Sequence, residues 1–232
     1  MHKVERNEPP EGLKEKSIEF NNQLNSQTNI AKEWERFTGT KLKKQTLEQL
    51  NAMFKGCCAY CEGEYDATSY GEIEHFKPKS LYPKSMFEYS NMNLACRICN
   101  NNKKEKFDEK LINPTVDNPD NHLRYETYLF VPIDEKGKFT INLFDINSKD
   151  RTNKKEGLYN GIKDRMLLIK KWLDKLDTNN SKATEMLKDF IYNTIKEVEP
   201  MFNNGFEFCT MYRHNFQKDI EYLKKKMQEL WE

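Results

Sequence analysis

The sequence predicts an α+β chain, mainly helical, and three observations carry that prediction. Apolar residues recur at helical spacing over the last third of the chain. An alternating apolar stretch near its middle reads as two short strands. Between residues 57 and 107 lie short apolar pieces, five of the six cysteines and no long helix until the end. A three-part organisation follows: an N-terminal helical segment (1–56), a cysteine-rich core (57–107), and a C-terminal hairpin and helical region (108–232).

The composition bounds the function. Charged residues make up 32% of the 232, and the net charge is only +1, so any nucleic-acid-binding surface has to be local. Fourteen Phe, eleven Tyr and three Trp are ample for a packed core. No apolar run reaches the length of a transmembrane span, and "MHKVERNEPPEG" lacks the apolar stretch of a signal peptide. The expected location is the cytoplasm, where cysteines serve as metal ligands or stay reduced.

Taken in order, residues 1–12 are polar, contain Pro9 and Pro10, and read as a loose lead-in with His2 in a disordered tail. "IAKEWERF" places Ile30, Trp34 and Phe37 at helical spacing. "TLEQLNAMF" follows, with Thr46 and Gln49 spaced as a capping box, Leu47, Leu50, Met53 and Phe54 on one face, and Gly56 as a stop. Pro114 and Pro119 mark irregular chain over 108–126. "TYLFVPIDEKGKFTINLF" reads as two strands turning at Glu135–Gly137. Three helical stripes close the chain: Ile162, Met166, Ile169, Leu173 and Leu176; Leu187, Phe190, Ile195 and Val198; and Tyr212, Phe216, Ile220, Leu223, Met227 and Leu230. Packing in a helical subdomain accounts for all three.

The cysteines carry the first chemistry. Cys58 and Cys61 form "CAYC", and Cys96 and Cys99 form "CRIC", with thirty-four residues between the pairs. Each CxxC wraps a tight turn that aims two sulfurs at one tetrahedral ion, which is the spacing of a four-cysteine structural zinc site. The competing reading is a redox pair with two core cysteines, but "CAYC" lacks a thioredoxin-type strand-to-helix context. Cys57 and Cys209 are left as structural thiols. An ion held by four thiolates has no open position, so catalysis needs a different metal.

Between and just after these pairs lie Glu74 and His75 in "IEHFKPKS", Asn91, and Asn100 directly following Cys99, with Lys103 next in "NNNK". In this order and spacing, residues 57–107 resemble the zinc-bearing HNH nuclease family, whose motif runs acidic–His, Asn, then CxxCN with a lysine. "CAYCE", "LACRICNNNK" and "LINPTVDNP" narrow the resemblance to the PtuB type, the HNH component of Septu and retron-associated antiphage systems. The resemblance implies a ββα-metal element. Its strands are expected at 72–76 and near 92–95, and its helix at about 99–107.

It also implies roles that make chemical sense. Phosphodiester hydrolysis needs an activated water, a cation on the phosphate oxygens and help for the leaving alkoxide. His75 is the expected general base. Asn91 buttresses the loop or the ring, with Asn93 as its rival. Glu74 and Asn100 offer hard oxygens to Mg²⁺ or Mn²⁺, with Glu72 a rival for the first and Asn101 and Asn102 for the second. Adjacent strand residues point to opposite faces, so the strand has to end or twist at His75. His122 and His214 fall outside the motif and read as structural or surface residues.

From 77 to 106, seven cationic side chains face two acidic ones. Lys77, Lys79, Arg97, Lys103 and Lys104 are therefore candidates for meeting phosphates, and a solvated loop is the plain alternative. Few residues resemble base readers, so weak sequence preference is expected, with DNA as the first substrate. No GxxxxGK[ST] motif is present. The resemblance implies a separate ATPase subunit of the PtuA kind, with 158–232 as its docking region. A zinc-stapled DNA-binding or scaffold module without cleavage is the rival to the nuclease.

Overall fold

The computed structural model describes residues 1–65, 71–176 and 181–231; the side chain of Leu230, placed in the last stripe, lies outside the described residues. The chain divides into two compact units, Met1–Leu123 with Val131–Ile146, and Arg124–Phe130 with Asn147–Glu232. The boundaries expected at 56/57 and 107/108 both fall inside the first unit.

Three helices open the first unit: α1 (Leu13–Gln23), α2 (Ile30–Thr38) and α3 (Lys41–Phe54). The α1 helix escapes a periodicity search because it buries only Leu13 and Phe20, two turns apart. Asn29 caps α2 by accepting from the Lys32 amide. The α3 helix is capped six residues before the expected capping box, by Thr40, whose hydroxyl accepts from the Lys43 amide at 3.1 Å. Thr46 is buried mid-helix, and its hydroxyl donates back to the Leu42 carbonyl. At the C-terminus Lys55 and Gly56 both take positive φ, and the Gly56 amide reaches back to the Asn51 carbonyl.

The lead-in is pinned rather than loose. The Met1 ammonium lies 3.0 Å from the Glu62 carboxylate, and His2 Nδ1 lies 2.7 Å from it. The Val4 amide donates to the Pro114 carbonyl. The Arg6 guanidinium spreads over the Tyr89 and Met92 carbonyls, Asn93 and Thr115. A planar fork with several donors suits that task.

At the centre, β1 (Glu72–His75) pairs antiparallel with β2 (Met92–Ala95), Glu72 facing Ala95 and His75 facing Met92. The α4 helix (Arg97–Lys103) follows and packs on β1, while α3 packs on both strands. This is the expected ββα arrangement, with the helix two residues earlier and shorter. Its N-cap is Cys96, whose sulfur accepts from the Cys99 amide at 3.4 Å.

The second hairpin differs from expectation. The segment read as its first strand is β4 (Leu129–Pro132), but its partner precedes it as β3 (Leu123–Glu126). The segment read as its second strand is instead α5 (Glu135–Phe144). The buried positions of α5 are Gly137, Thr140, Ile141 and Phe144, a helical stripe disguised by a glycine and a threonine. Asp134 caps it by accepting from the Gly137 amide. Gly137 is there for space: a Cβ would sit 1.9 Å from the His122 carbonyl oxygen.

The second unit is built on α6 (Lys149–Asp174), α7 (Ser181–Val198) and α8 (Cys209–Trp231), which pack on one another. Ile162, Met166 and Ile169 of α6 are buried, as are Ile195 and Val198 of α7 and Tyr212 through Met227 of the α8 stripe. On α7 the core position is Ile191; Phe190 is exposed and meets Trp172 edge-on. No described helix is long and apolar enough to cross a membrane.

Candidate functional site

Four sulfurs converge first. The Cys58, Cys61, Cys96 and Cys99 ligand atoms all lie within 4.8 Å of one another, with Cys61 and Cys96 3.8 Å apart. A tetrahedron with metal–sulfur bonds of about 2.3 Å has edges of roughly 3.8 Å, so the cluster fits a zinc ion. Burial pushes the Cys58 thiol up, while hydrogen bonding from Cys58 pulls the Cys61 and Cys96 thiols down. A shared dication removes that conflict by replacing protons on all four. The Ala59 amide bonds to the Leu94 carbonyl at 2.8 Å, which holds the CAYC turn against β2. Cys57 and Cys209 are buried outside this cluster.

His75 ends β1, is 6% exposed, and sets its ring edge-on to Trp34 at 4.6 Å. Its Nε2 is 2.9 Å from the Met86 carbonyl, an acceptor only, so Nε2 carries the proton and Nδ1 is the basic nitrogen. Desolvation, with Lys79 close by, holds the imidazole down at about 3. The ring is thus neutral at pH 7, a weak base while covered. Asn91 does not touch the ring. Its amide clamps the loop beyond β1, accepting from the Lys77 amide and donating to the Lys77 and Ser85 carbonyls at 2.7, 3.0 and 3.0 Å. That loop carries the Met86 carbonyl. Its rival Asn93 is committed to the Tyr60 hydroxyl.

Glu74 takes the opposite face, as strand alternation demands. It is 2% exposed, and a cation already sits on it: the Lys103 ammonium meets Oε1 at 2.5 Å while the Tyr60 hydroxyl donates to Oε2. This closed carboxylate does not fit the expected role of ligand to a catalytic ion. Burial pushes its pKa up, against the pull of Lys103. Lys103 is likewise corrected: at 0% exposure it is withdrawn from any phosphate. Asn100 donates its amide to Glu72 at 2.6 Å, and both are partly exposed. Of its neighbours, Asn101 is exposed, and Asn102 donates to the Phe144 carbonyl.

Lys77, Arg97 and Lys104 are exposed and Lys79 is half-buried. Lys79 lies over the Trp34 ring and Lys77 over Tyr82. His122 pairs with Asp134, and His214 Nδ1 accepts from the Tyr125 amide, structural roles for both. Sequence reasoning missed Tyr60 and Trp34 as neighbours of the motif. For Tyr60 the signal was its place inside CAYC; Trp34 gave none, because only folding brings α2 to His75.

Known proteins share this segment. Residues 58–106 match the family model "HNH endonuclease". The chain is 34% identical over 139 residues to the Septu protein PtuB of Bacillus thuringiensis, covering 59% of this chain and 49% of that protein. It is 24% identical over 199 residues to the Septu protein PtuB of Bacillus mycoides (strain KBAB4), covering 68% and 66%. The chain thus spans about half the length of the first of these relatives and two thirds of the second. The ββα element and the four-cysteine cluster thus fall within the segment from Cys58 to Lys106 that matches the HNH endonuclease model, in a chain similar to the Septu protein PtuB.

Proposed function

We propose that the chain hydrolyses phosphodiester bonds of nucleic acid, DNA in the first place, as the nuclease of a Septu-like antiphage system acting with an ATPase partner in the cytoplasm. The observation that carries this reading is His75, its Nε2 on the Met86 carbonyl, in the same HNH-matching segment as a four-sulfur cluster. His75 is the general base, taking a water proton on Nδ1 once Trp34 moves off the ring. Asn91 holds the loop that orients it. Mg²⁺ or Mn²⁺ is the proposed catalytic cation, and its chemistry is to neutralise charge on the scissile phosphate. Glu74 is closed to it, so the partly exposed Glu72 and Asn100 are the oxygen donors we assign. Lys77, Lys79, Arg97 and Lys104 supply the phosphate-facing charge.

One observation favours the rival, a zinc-stapled binding or scaffold module: the imidazole is covered and the adjacent carboxylate already neutralised. A cleavage assay separates the two. Plasmid, single-stranded DNA and RNA are incubated with Mg²⁺ or Mn²⁺, with and without the product of the neighbouring gene. Cutting by the wild type that disappears in a folded, zinc-loaded His75→Ala protein supports the nuclease. Equal behaviour of the two proteins under every condition supports the module.

A further inference from the structure

A buried polar chain runs from the cysteine turn to His75. It begins at Tyr60, inside CAYC, whose ring stacks on Phe144 with centroids 4.0 Å apart. Asn93 of β2 donates to the Tyr60 oxygen at 3.1 Å, and the Tyr60 hydroxyl donates to Glu74. Glu74 meets the Lys103 ammonium at 2.5 Å, and the same ammonium donates to the His75 carbonyl at 2.6 Å. Tyr60, Asn93, Glu74 and Lys103 are all buried.

A buried ion pair is a poor source of stability, because desolvating both charges offsets most of their attraction, and well-packed apolar residues often do as well. What such a pair does supply is a fixed arrangement: each charge has few alternatives to its partner. Here the arrangement ends on the peptide that follows the proposed base. The His75 carbonyl is held by Lys103, and the next amide, that of Phe76, by the Asn91 carbonyl at 2.9 Å. The backbone at the end of β1 is pinned on both sides, which sets the direction in which the ring leaves the strand.

We infer that Tyr60, Glu74 and Lys103 are positioning residues that carry the order of the cysteine turn to the His75 ring. The carboxylate next to the histidine therefore holds the lysine that orients the base and binds no divalent ion. The inference deepens the proposed function and rests on it only for the effect on cleavage.

The chain has four histidines, so ¹⁵N-histidine NMR reads His75 directly, its signals assigned by their absence in His75→Gln. Two variants are compared with wild type at pH 7. Tyr60→Phe removes one hydroxyl and keeps the ring on Phe144. Glu74→Gln/Lys103→Met removes both charges at similar volume. Both are expected to keep one zinc per chain and to change His75 from a single Nε2-protonated tautomer to a mixture. Cleavage is expected to fall at least tenfold in kcat with KM within twofold, and Mn²⁺ binding, followed by EPR, to stay within twofold. An unchanged His75 signature in Tyr60→Phe overturns the inference, whatever the double variant does. Loss of Mn²⁺ binding in the folded double variant overturns it too, since Glu74 is then a metal ligand. If the signature responds but the wild type cuts nothing under any condition, the nuclease reading falls and the positioning chain stands.

Discussion

Acidification should weaken the first unit through His75 by an amount that follows from its burial. The groups acting on the ring are the charges of Lys79 beyond β1 and Lys103 on α4, both opposing protonation, and the Met86 carbonyl, which favours it; desolvation outweighs them all. The folded imidazole takes a proton only near pH 3, against about 6.5 in the unfolded chain. Between those values the unfolded state binds more protons, so stability is complete above pH 6.5 and is lost as pH falls towards 3. From pH 7 to 5 the interval below the unfolded pKa is 1.5 units, or about 2 kcal/mol at ~1.4 kcal/mol per unit. His75→Gln keeps a donor for the Met86 carbonyl and removes the titration. Urea titrations at pH 7 and 5 on a Trp172→Phe/Trp231→Phe background leave Trp34, 4.6 Å from the ring, as the reporter. Proton competition at the cysteines affects both proteins alike and cancels. The wild type should lose about 2 kcal/mol more than His75→Gln over this range. Parallel losses would refute the reasoning and show an imidazole that protonates in place.

Three other substitutions probe the scaffold. Cys96→Ser should reduce bound zinc to below a tenth of an equivalent and abolish amide-exchange protection across β1 and β2, because a structural zinc supplies roughly 10–16 kcal/mol of apparent binding energy; a stable, active variant is the contrary result. Gly137→Ala drives a Cβ into the His122 carbonyl and should cost about 1–3 kcal/mol in urea titrations, with an unchanged midpoint as the refutation. Arg6→Met leaves the Tyr89 and Met92 carbonyls without their charged donor and should cost roughly 1.5–3 kcal/mol, with faster exchange in the 89–93 turn; unaltered exchange there would mean the lead-in is dispensable.

What was legible in the sequence followed one rule. Features set by local spacing were read correctly: the two CxxC turns, the ββα order and the long helices. Features whose meaning depends on a partner far along the chain were not. The stripe of α5 was hidden because a glycine and a threonine occupy its packed positions, and alternation of Phe139, Ile141 and Leu143 imitated a strand. The N-terminal residues looked loose because their anchors, Glu62, Tyr89, Met92 and Pro114, lie more than fifty positions away. Lys103 reads as a candidate for meeting phosphates because nothing in "NNNK" records that one turn of α4 faces Glu74.

The sequence by itself therefore carried the resemblance to HNH endonucleases and picked out the four cysteines that come together, since cysteine spacing and motif order are properties of the chain alone. Only the tertiary structure decided what the neighbours Glu74 and His75 each meet. Burial and charge pairing depend on which elements meet, and it is the meeting of β1 with α4 and α2 that closes the carboxylate with a lysine and covers the imidazole with a tryptophan.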